Sequence, residues 1–267
     1  MQFAKKKFGQ NFITDKNLIN KIVGLLDQDE NQLIIEVGPG RGALTKELVK
    51  RFKKVIAIEI DKDMEQVLST SVDVNNFELL IEDVLEVDFK KLIDKQNFQK
   101  VAIISNTPYY ITTELLFKTF DSSKLLNQAI FMTQKEVALR ICAKENENNY
   151  NNLSVAARFY SDVKYEFTVK KNMFSPTPKV DSAIIKLTFN QLNLEKVRDD
   201  KYFISFVRKL FNNKRKTILN NLGNAIEDKN KAKTLLDSLA IDYRQRPENL
   251  SLEHFINLYN EVHYDGY

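Results

Sequence analysis

Five short apolar runs, each followed by a turn and a stretch of helical periodicity, organise the first half of the chain. They are Leu33-Ile34-Ile35-Glu36-Val37, Val55-Ile56-Ala57-Ile58-Glu59-Ile60, Phe77 to Ile81, Val101-Ala102-Ile103-Ile104-Ser105 and Gln128 to Met132. Runs of this length read as buried strands. The segments beside them read as helices: Asp15 to Asp27, with Leu18, Ile19, Ile22, Val23 and Leu26 on one face, then Ala43 to Phe52, a helix from Lys62, Thr113 to Phe120, and Gln134 to Ala143. Strands alternating with helices predict an α/β fold, an open and largely parallel sheet with helices on both faces.

Beyond the fifth run the pattern changes. Glu145 to Asn152 is a polar insertion that reads as an exposed loop. Val163 to Val169 and Ser182 to Phe189 read as strands flanking Phe174-Ser175-Pro176-Thr177-Pro178, a loop stiffened by two prolines. From about Asn190 only helical patterns remain, which predicts a boundary between a domain at 1–190 and an all-helical one at 191–267.

A chain of 267 residues, 43% hydrophobic, can bury the core of one large domain or of a main domain with a smaller one. No apolar stretch is long enough to cross a membrane, and Met1 to Lys7 lacks a signal core, so a cytoplasmic protein is the expectation. Cys142 is the single cysteine, and the two histidines, His254 and His263, lie in a polar C-terminal stretch. That leaves little for a disulfide, a thiolate cage or a zinc site, so no metal is expected. The net charge of +4 matters less than its distribution. Lys201 to Ile226 holds six basic residues and no acid, and Lys5, Lys6 and Lys7 stand unopposed near the start. Two basic patches suit a polyanion such as RNA, against the blander reading of a solvated face.

The residues that could carry chemistry fall at the carboxyl ends of the predicted strands. Gly38-Pro39-Gly40-Arg41-Gly42 follows the first strand, where glycine lets the backbone turn sharply and approach a ligand. The spacing is not that of a dinucleotide loop. Glu36 would repel a pyrophosphate and favours a cationic ligand, a sign that the sulfonium and amino group of S-adenosylmethionine fit. The competing reading is a tight turn with no ligand. Glu59 closes the second strand, where an acid can accept from ribose hydroxyls, and Asp83 follows the third, where a carboxylate can meet an adenine amine. After the fourth strand, Asn106-Thr107-Pro108-Tyr109-Tyr110 combines an amide acceptor, a fixed backbone and a stacking face. Asn106 and a carbonyl near Thr107 or Pro108 could hold an adenine amine as a nucleophile, with Tyr109 stacking on the base. The base must first leave its own stack, which favours a loop or a single strand. Phe174 is a candidate for the opposite face of the base, or an ordinary core aromatic. Arg208 and Lys214-Arg215-Lys216 could contact phosphates, or be a solvated turn between helices.

Taken together, these motifs resemble the ribosomal RNA adenine dimethyltransferases through nearly the whole chain. Phe8-Gly9-Gln10-Asn11-Phe12 looks like the family's N-terminal signature and Glu36 to Gly40 like its cofactor motif. Pro108 to Thr113, Gln134 to Ala138, Phe174 to Ser182, Lys214 to Thr217 and Arg246 to Ser251 continue the likeness in order. The resemblance implies a Rossmann-like class I methyltransferase sheet at 1–190 and an RNA-contacting helical domain at 191–267. It implies cofactor contacts on Asn11, Ile13, Gly38, Glu59, Asp83 and Asn106. The likeness is closest to the branch that dimethylates two adjacent adenosines near the 3′ end of small-subunit ribosomal RNA, with a role in subunit biogenesis. The implied partner is that RNA within an assembling small subunit, and the implied protein a monomer. Two other readings compete: the large-subunit methyltransferase branch that confers antibiotic resistance, and a non-catalytic assembly factor on the same fold. Thr107 stands where relatives have Leu or Ile, Arg41 where they have an apolar or small residue, and Ile13 where Leu is usual.

Overall fold

The structure, a computed structural model, describes residues 11–106 and 109–264. A two-residue strand β1 (Phe12–Ile13) precedes helix α1 (Lys16–Val23). Asp15 caps α1, its carboxylate accepting the Leu18 N–H at 2.7 Å. Strict alternation follows: β2 (Leu33–Val37), α2 (Thr45–Arg51), β3 (Lys54–Glu59), α3 (Asp63–Ser71), β4 (Phe77–Ile81), α4 (Phe89–Asp94), β5 (Val101–Ser105), α5 (Thr112–Asp121), β6 (Gln128–Gln134) and α6 (Lys135–Cys142). Then come α7 (Asn152–Tyr160), β7 (Ser161–Val169), β8 (Phe174–Ser175) and β9 (Ser182–Phe189). Four helices finish the described chain: α8 (Asp200–Leu210), α9 (Ile218–Ile226), α10 (Lys229–Ser238) and α11 (Leu252–Tyr264).

Seven strands form one sheet in the order β4-β3-β2-β5-β6-β9-β7. β4, β3, β2, β5 and β6 run parallel, and β9 is antiparallel to β6. The chain winds outward from β2 to β4 and then returns to β5 on the other side of β2. This reversal opens a crevice at the carboxyl ends of the strands, where ligands of such sheets bind. The register sets what meets there. Val37 pairs with Ile58 on one side and Ser105 on the other, so Gly38, Glu59 and Asn106 emerge at one edge.

Every residue of β2 and β5 is buried, which is why their sequences are apolar runs rather than alternations, apart from Glu36 and Ser105. Ile34, Val55, Ala102, Ile104 and Ile130 pack on one face with Leu18, Ile22 and Val23 of α1 and Leu48 of α2. Leu33 and Ile35, whose side chains point to the other face, are equally buried.

The described chain divides into two compact units: the part up to Ala138 with Val163–Phe189, and Leu139–Asp162 with the part from Asn190 onward. The first holds the sheet. The second is helical around an aromatic core, in which Phe159 meets Phe203 at 4.5 Å between ring centroids, Phe203 meets Tyr259 at 5.5 Å and Phe211 meets Phe255 at 5.6 Å.

Three features depart from the sequence expectations. The insertion at 145–152 is exposed only in its first part: Tyr150 and Asn151 are buried, and Asn151 caps α7 through the Leu153 N–H at 2.8 Å. Helices α4 and α7 were not expected. α7 begins inside the polar run that reads as a loop, and nearly all of it is buried. β1 and β8 pair with each other, Ile13 opposite Phe174, a contact between distant segments that no local pattern announces.

Candidate active site

One cavity of about 630 Å³ opens at the carboxyl ends of β2, β3, β4 and β5. Its floor is the loop after β2. Gly38 and Gly40 have φ of 72° and 54°, in the left-handed region where a side chain is strained. At Gly40 a Cβ would also lie 2.9 Å from Cε1 of Phe12, so the absence of a side chain there lets the Phe12 ring close over the loop. The Arg41 guanidinium stacks on the outer side of that ring, 4.4 Å from its centroid. This gives Arg41 a structural role that the sequence left open.

Glu59 ties two loops together. Its Oε2 accepts the Gly40 N–H at 3.1 Å and its Oε1 the Asp61 N–H at 2.9 Å. Burial raises its pKa above the usual carboxylate value, with those two amide hydrogen bonds pulling the other way. A carboxylate has about four acceptor sites, so two amides leave capacity for hydroxyl donors in the cavity. Asp83 is half-buried after β4 and fixed by the Leu85 N–H at 2.9 Å. Ile60 and Val84 add apolar wall near these acids.

Asn106 lines the opposite side, positioned by its own N–H on the Val37 carbonyl at 3.3 Å. Tyr109 is half-buried, and its hydroxyl shares a 2.7 Å hydrogen bond with Ser182 Oγ at the start of β9. Burial pushes the phenol pKa up, with Ser182 opposing, so the hydroxyl stays neutral near pH 7 and serves as an anchor. Phe174 touches the same cavity from β8 but is 5% exposed and packs in the core with Ile13, as the core-aromatic reading expected, and Tyr110 stands 60% exposed at the edge, the more open of the two tyrosines.

Of the residues expected to hold a cofactor, Asn11, Ile13, Gly38, Gly40, Glu59, Asp83 and Asn106 line this cavity. Tyr109 and Phe174, expected to stack on a base, line it too. Glu36 does not: it is wholly buried, beside Thr45 and Glu59, with its Oε2 lacking a hydrogen bond. Desolvation pushes its pKa up to about 8, opposed by Thr45. Lys5, Lys6, Lys7, Thr107 and Pro108 lie outside the described residues. Arg208 is exposed on α8, and Lys214, Arg215 and Lys216 are exposed in the turn before Thr217, which caps α9. Phe12, Ile60 and Ser182 were not singled out for the site from sequence. Phe12 and Ser182 sit inside recognised motifs, but their roles depend on partners far along the chain.

With this geometry in view, the comparisons with known proteins agree with one another. The family described as "Ribosomal RNA adenine dimethylase" matches residues 1–263. A protein of Mycoplasma mycoides subsp. mycoides SC named "Ribosomal RNA small subunit methyltransferase A" is 62% identical over 97% of this chain and 98% of its own. A protein of the same name from Fusobacterium nucleatum is 40% identical over 97% of both chains. Among solved structures, a dimethyladenosine transferase from Plasmodium falciparum superposes with a TM-score of 0.81 at 26% identity, covering 95% of this chain and 98% of that one. The 23S rRNA methyltransferase ErmE shares the fold, with a TM-score of 0.73 at 22% identity over 94% of this chain and 99% of its own. The chain belongs to the ribosomal RNA adenine dimethylase family.

Proposed function

We propose that the protein transfers methyl groups from S-adenosylmethionine to the exocyclic amines of two adjacent adenosines in the 3′-terminal loop of small-subunit ribosomal RNA. The observation that carries the reading is the convergence of Gly38, Gly40, Glu59, Asp83 and Asn106 on one cavity. The names of the relatives favour the small-subunit RNA over the large-subunit alternative. An enzymatic role is favoured over a purely scaffolding one by that complete set of polar groups.

The cavity suits the chemistry of this cofactor. Glu59 and Asp83 are among the acids that line it, the glycine loop leaves room where a Cβ would intrude, and Ile60 and Val84 offer apolar wall. When bound, S-adenosylmethionine supplies an electrophilic methyl group on a sulfonium. Glu59 accepts from ribose hydroxyls while its amide contacts keep the glycine loop in place. Asp83 accepts from the cofactor's adenine amine, and Asn11 and Ile13 close the cavity from the N-terminal side. Glu36 acts from beneath the loop: a cation above it favours the ionised carboxylate.

Asn106 accepts a hydrogen bond from the target amine, which holds the nitrogen lone pair toward the methyl position. Proximity then supplies most of the acceleration, because an in-line displacement needs little else. The C–N bond would form as the C–S bond breaks, with S-adenosylhomocysteine as the leaving product and the amine proton lost to solvent. Tyr109 and Phe174 clasp the flipped base. The anchored Tyr109 hydroxyl fixes the ring's orientation and takes no proton. Pro108 stiffens the backbone beside Asn106. Lys5, Lys6, Lys7, Arg208, Lys214, Arg215 and Lys216 contact RNA phosphates, with residues 191–267 as an RNA-contacting domain. The substrate is placed in an assembling small subunit, and the protein, a monomer without a metal, in the cytoplasm with its RNA.

Titration calorimetry with S-adenosylmethionine, and primer extension on ribosomal RNA from cells with and without the protein, test this reading. Binding, and loss of two adjacent primer-extension stops near the small-subunit 3′ end in cells lacking the protein, are expected. Loss confined to large-subunit RNA would overturn it.

A further inference from the structure

The acceptor side of the cavity is held from behind by a corner at Asp181. Tyr109 is anchored to Ser182, the next residue along. The Asp181 carboxylate accepts the Lys171 N–H at 3.0 Å and the Lys170 Nζ at 3.1 Å, and its backbone carbonyl accepts the Lys135 N–H at 3.0 Å. Three separate elements therefore meet at this residue: the end of β6, the turn after β7 and the start of β9. The β8 segment just before it supplies Phe174 and Ser175 to the cavity lining.

This corner is strongly basic. Lys135, Lys170 and Lys171 all join Asp181, and Lys179 lies two residues before it, on the loop that leaves β8. All four lysines are exposed. Asp181 and the exposed Glu136 are the carboxylates within the same stretches, so cations outnumber anions there by four to two. Asp181 is engaged with Lys170, while Lys135, Lys171 and Lys179 are exposed on the corner that Ser182 ties to Tyr109.

We infer that Lys135, Lys171 and Lys179 form a phosphate-binding track for the RNA strand that delivers the target adenosine, beside the Tyr109–Phe174 clasp. The inference rests on the reading of the cavity as an adenosine site and adds a docking surface on the sheet unit. The physical reason is continuity. A nucleotide flipped into the cavity keeps its flanking phosphates at the rim, and the side that holds its base is where they need counter-charge. Lys170 neutralises Asp181, so the carboxylate that organises the corner does not repel the strand.

The test is a triple variant, Lys135→Gln, Lys171→Gln and Lys179→Gln, which leaves Lys170 to hold Asp181. A control removes equal charge toward the amino ends of the strands: Lys53→Gln, Lys95→Gln and Lys124→Gln. Calorimetry with S-adenosylmethionine and a melting curve check that each folds and keeps its cofactor site. The probes are naked small-subunit ribosomal RNA for binding and the partly assembled small subunit for methyl transfer. The rim variant is expected to raise KM for RNA about tenfold with kcat nearly unchanged. It should also lower the slope of log binding constant against log salt by about 2, given roughly 0.7 per single-strand phosphate contact. The control should move neither quantity by half as much. An unchanged KM and salt slope in a folded, cofactor-binding rim variant would overturn the track and leave the proposed reaction standing. Equal effects in both variants would also overturn it, by assigning the effect to overall charge. Wild-type protein that methylates neither RNA form would overturn the underlying reading and the track with it.

Discussion

The two walls of the cavity are built by different means. The wall formed by the glycine loop, Glu59 and Asp83 is fixed by backbone conformation and short-range hydrogen bonds: left-handed glycines, and carboxylates bound to amides of adjoining loops. The wall formed by Asn106, Tyr109 and Phe174 depends on partners far away in sequence, Tyr109 on Ser182 and Phe174 on Ile13. The first suits a ligand of constant shape, recognised identically in every cycle. The second, with Tyr110 exposed at its edge, suits part of a polymer that must enter and leave.

Asn106→Ala breaks the comparison most sharply. If Asn106 orients the amine, kcat falls by about 10²–10³-fold, the usual range for loss of one preorganised polar contact to a reacting group. Single-turnover methylation should show that loss while RNA binding, followed by filter retention, stays near wild type. Gly40→Ala probes the other wall. The left-handed backbone alone costs about 1–2 kcal/mol with a side chain, and the new methyl group displaces the Phe12 ring. S-adenosylmethionine affinity measured by calorimetry should fall about tenfold or more, with RNA affinity little changed.

Tyr109→Phe is milder. It removes a hydrogen bond worth about 1 kcal/mol, so kcat/KM for RNA should fall about fivefold. Ser182→Ala should match it, and the double variant should be no worse than either single one. A different kind of effect, on stability rather than turnover, concerns Glu36. Burial holds its pKa at about 8, above the ordinary 4.5, so the folded protein keeps a proton there that the unfolded chain has lost. Stability is therefore full below about 4.5 and declines as pH rises toward about 8. Thermal melts of the cofactor-free protein between pH 5 and pH 8 should show a decline in Tm that Glu36→Gln flattens.

The sheet was legible because parallel strands buried on both faces are predominantly apolar, as β2 and β5 are apart from Glu36 and Ser105. The glycine loop was legible because left-handed backbone selects glycine. Glu36 was read as facing a ligand because its position in a run of buried residues does not say whether its carboxylate points into the cavity or beneath it. α7 was missed because its cap, Asn151, and its first residue, Asn152, belong to the polar run at 145–152, and Tyr150 because it sits among asparagines and glutamates. Ser182 and Asp181 could be recognised as parts of a motif, but their ties to Tyr109, Lys170 and Lys171 depend on the folded chain.

The central claim is that this cavity presents one adenosine amine at a time to a methyl donor held by the glycine wall. Reaction of the purified protein with methyl-labelled S-adenosylmethionine and small ribosomal subunits from cells lacking it, followed by mapping of labelled nucleotides, tests that claim most directly. Label is expected in two adjacent dimethyladenosines near the 3′ end of the small-subunit RNA, appearing at least about a hundredfold more slowly with Asn106→Ala. Label on other bases, or undiminished labelling by Asn106→Ala, would contradict it.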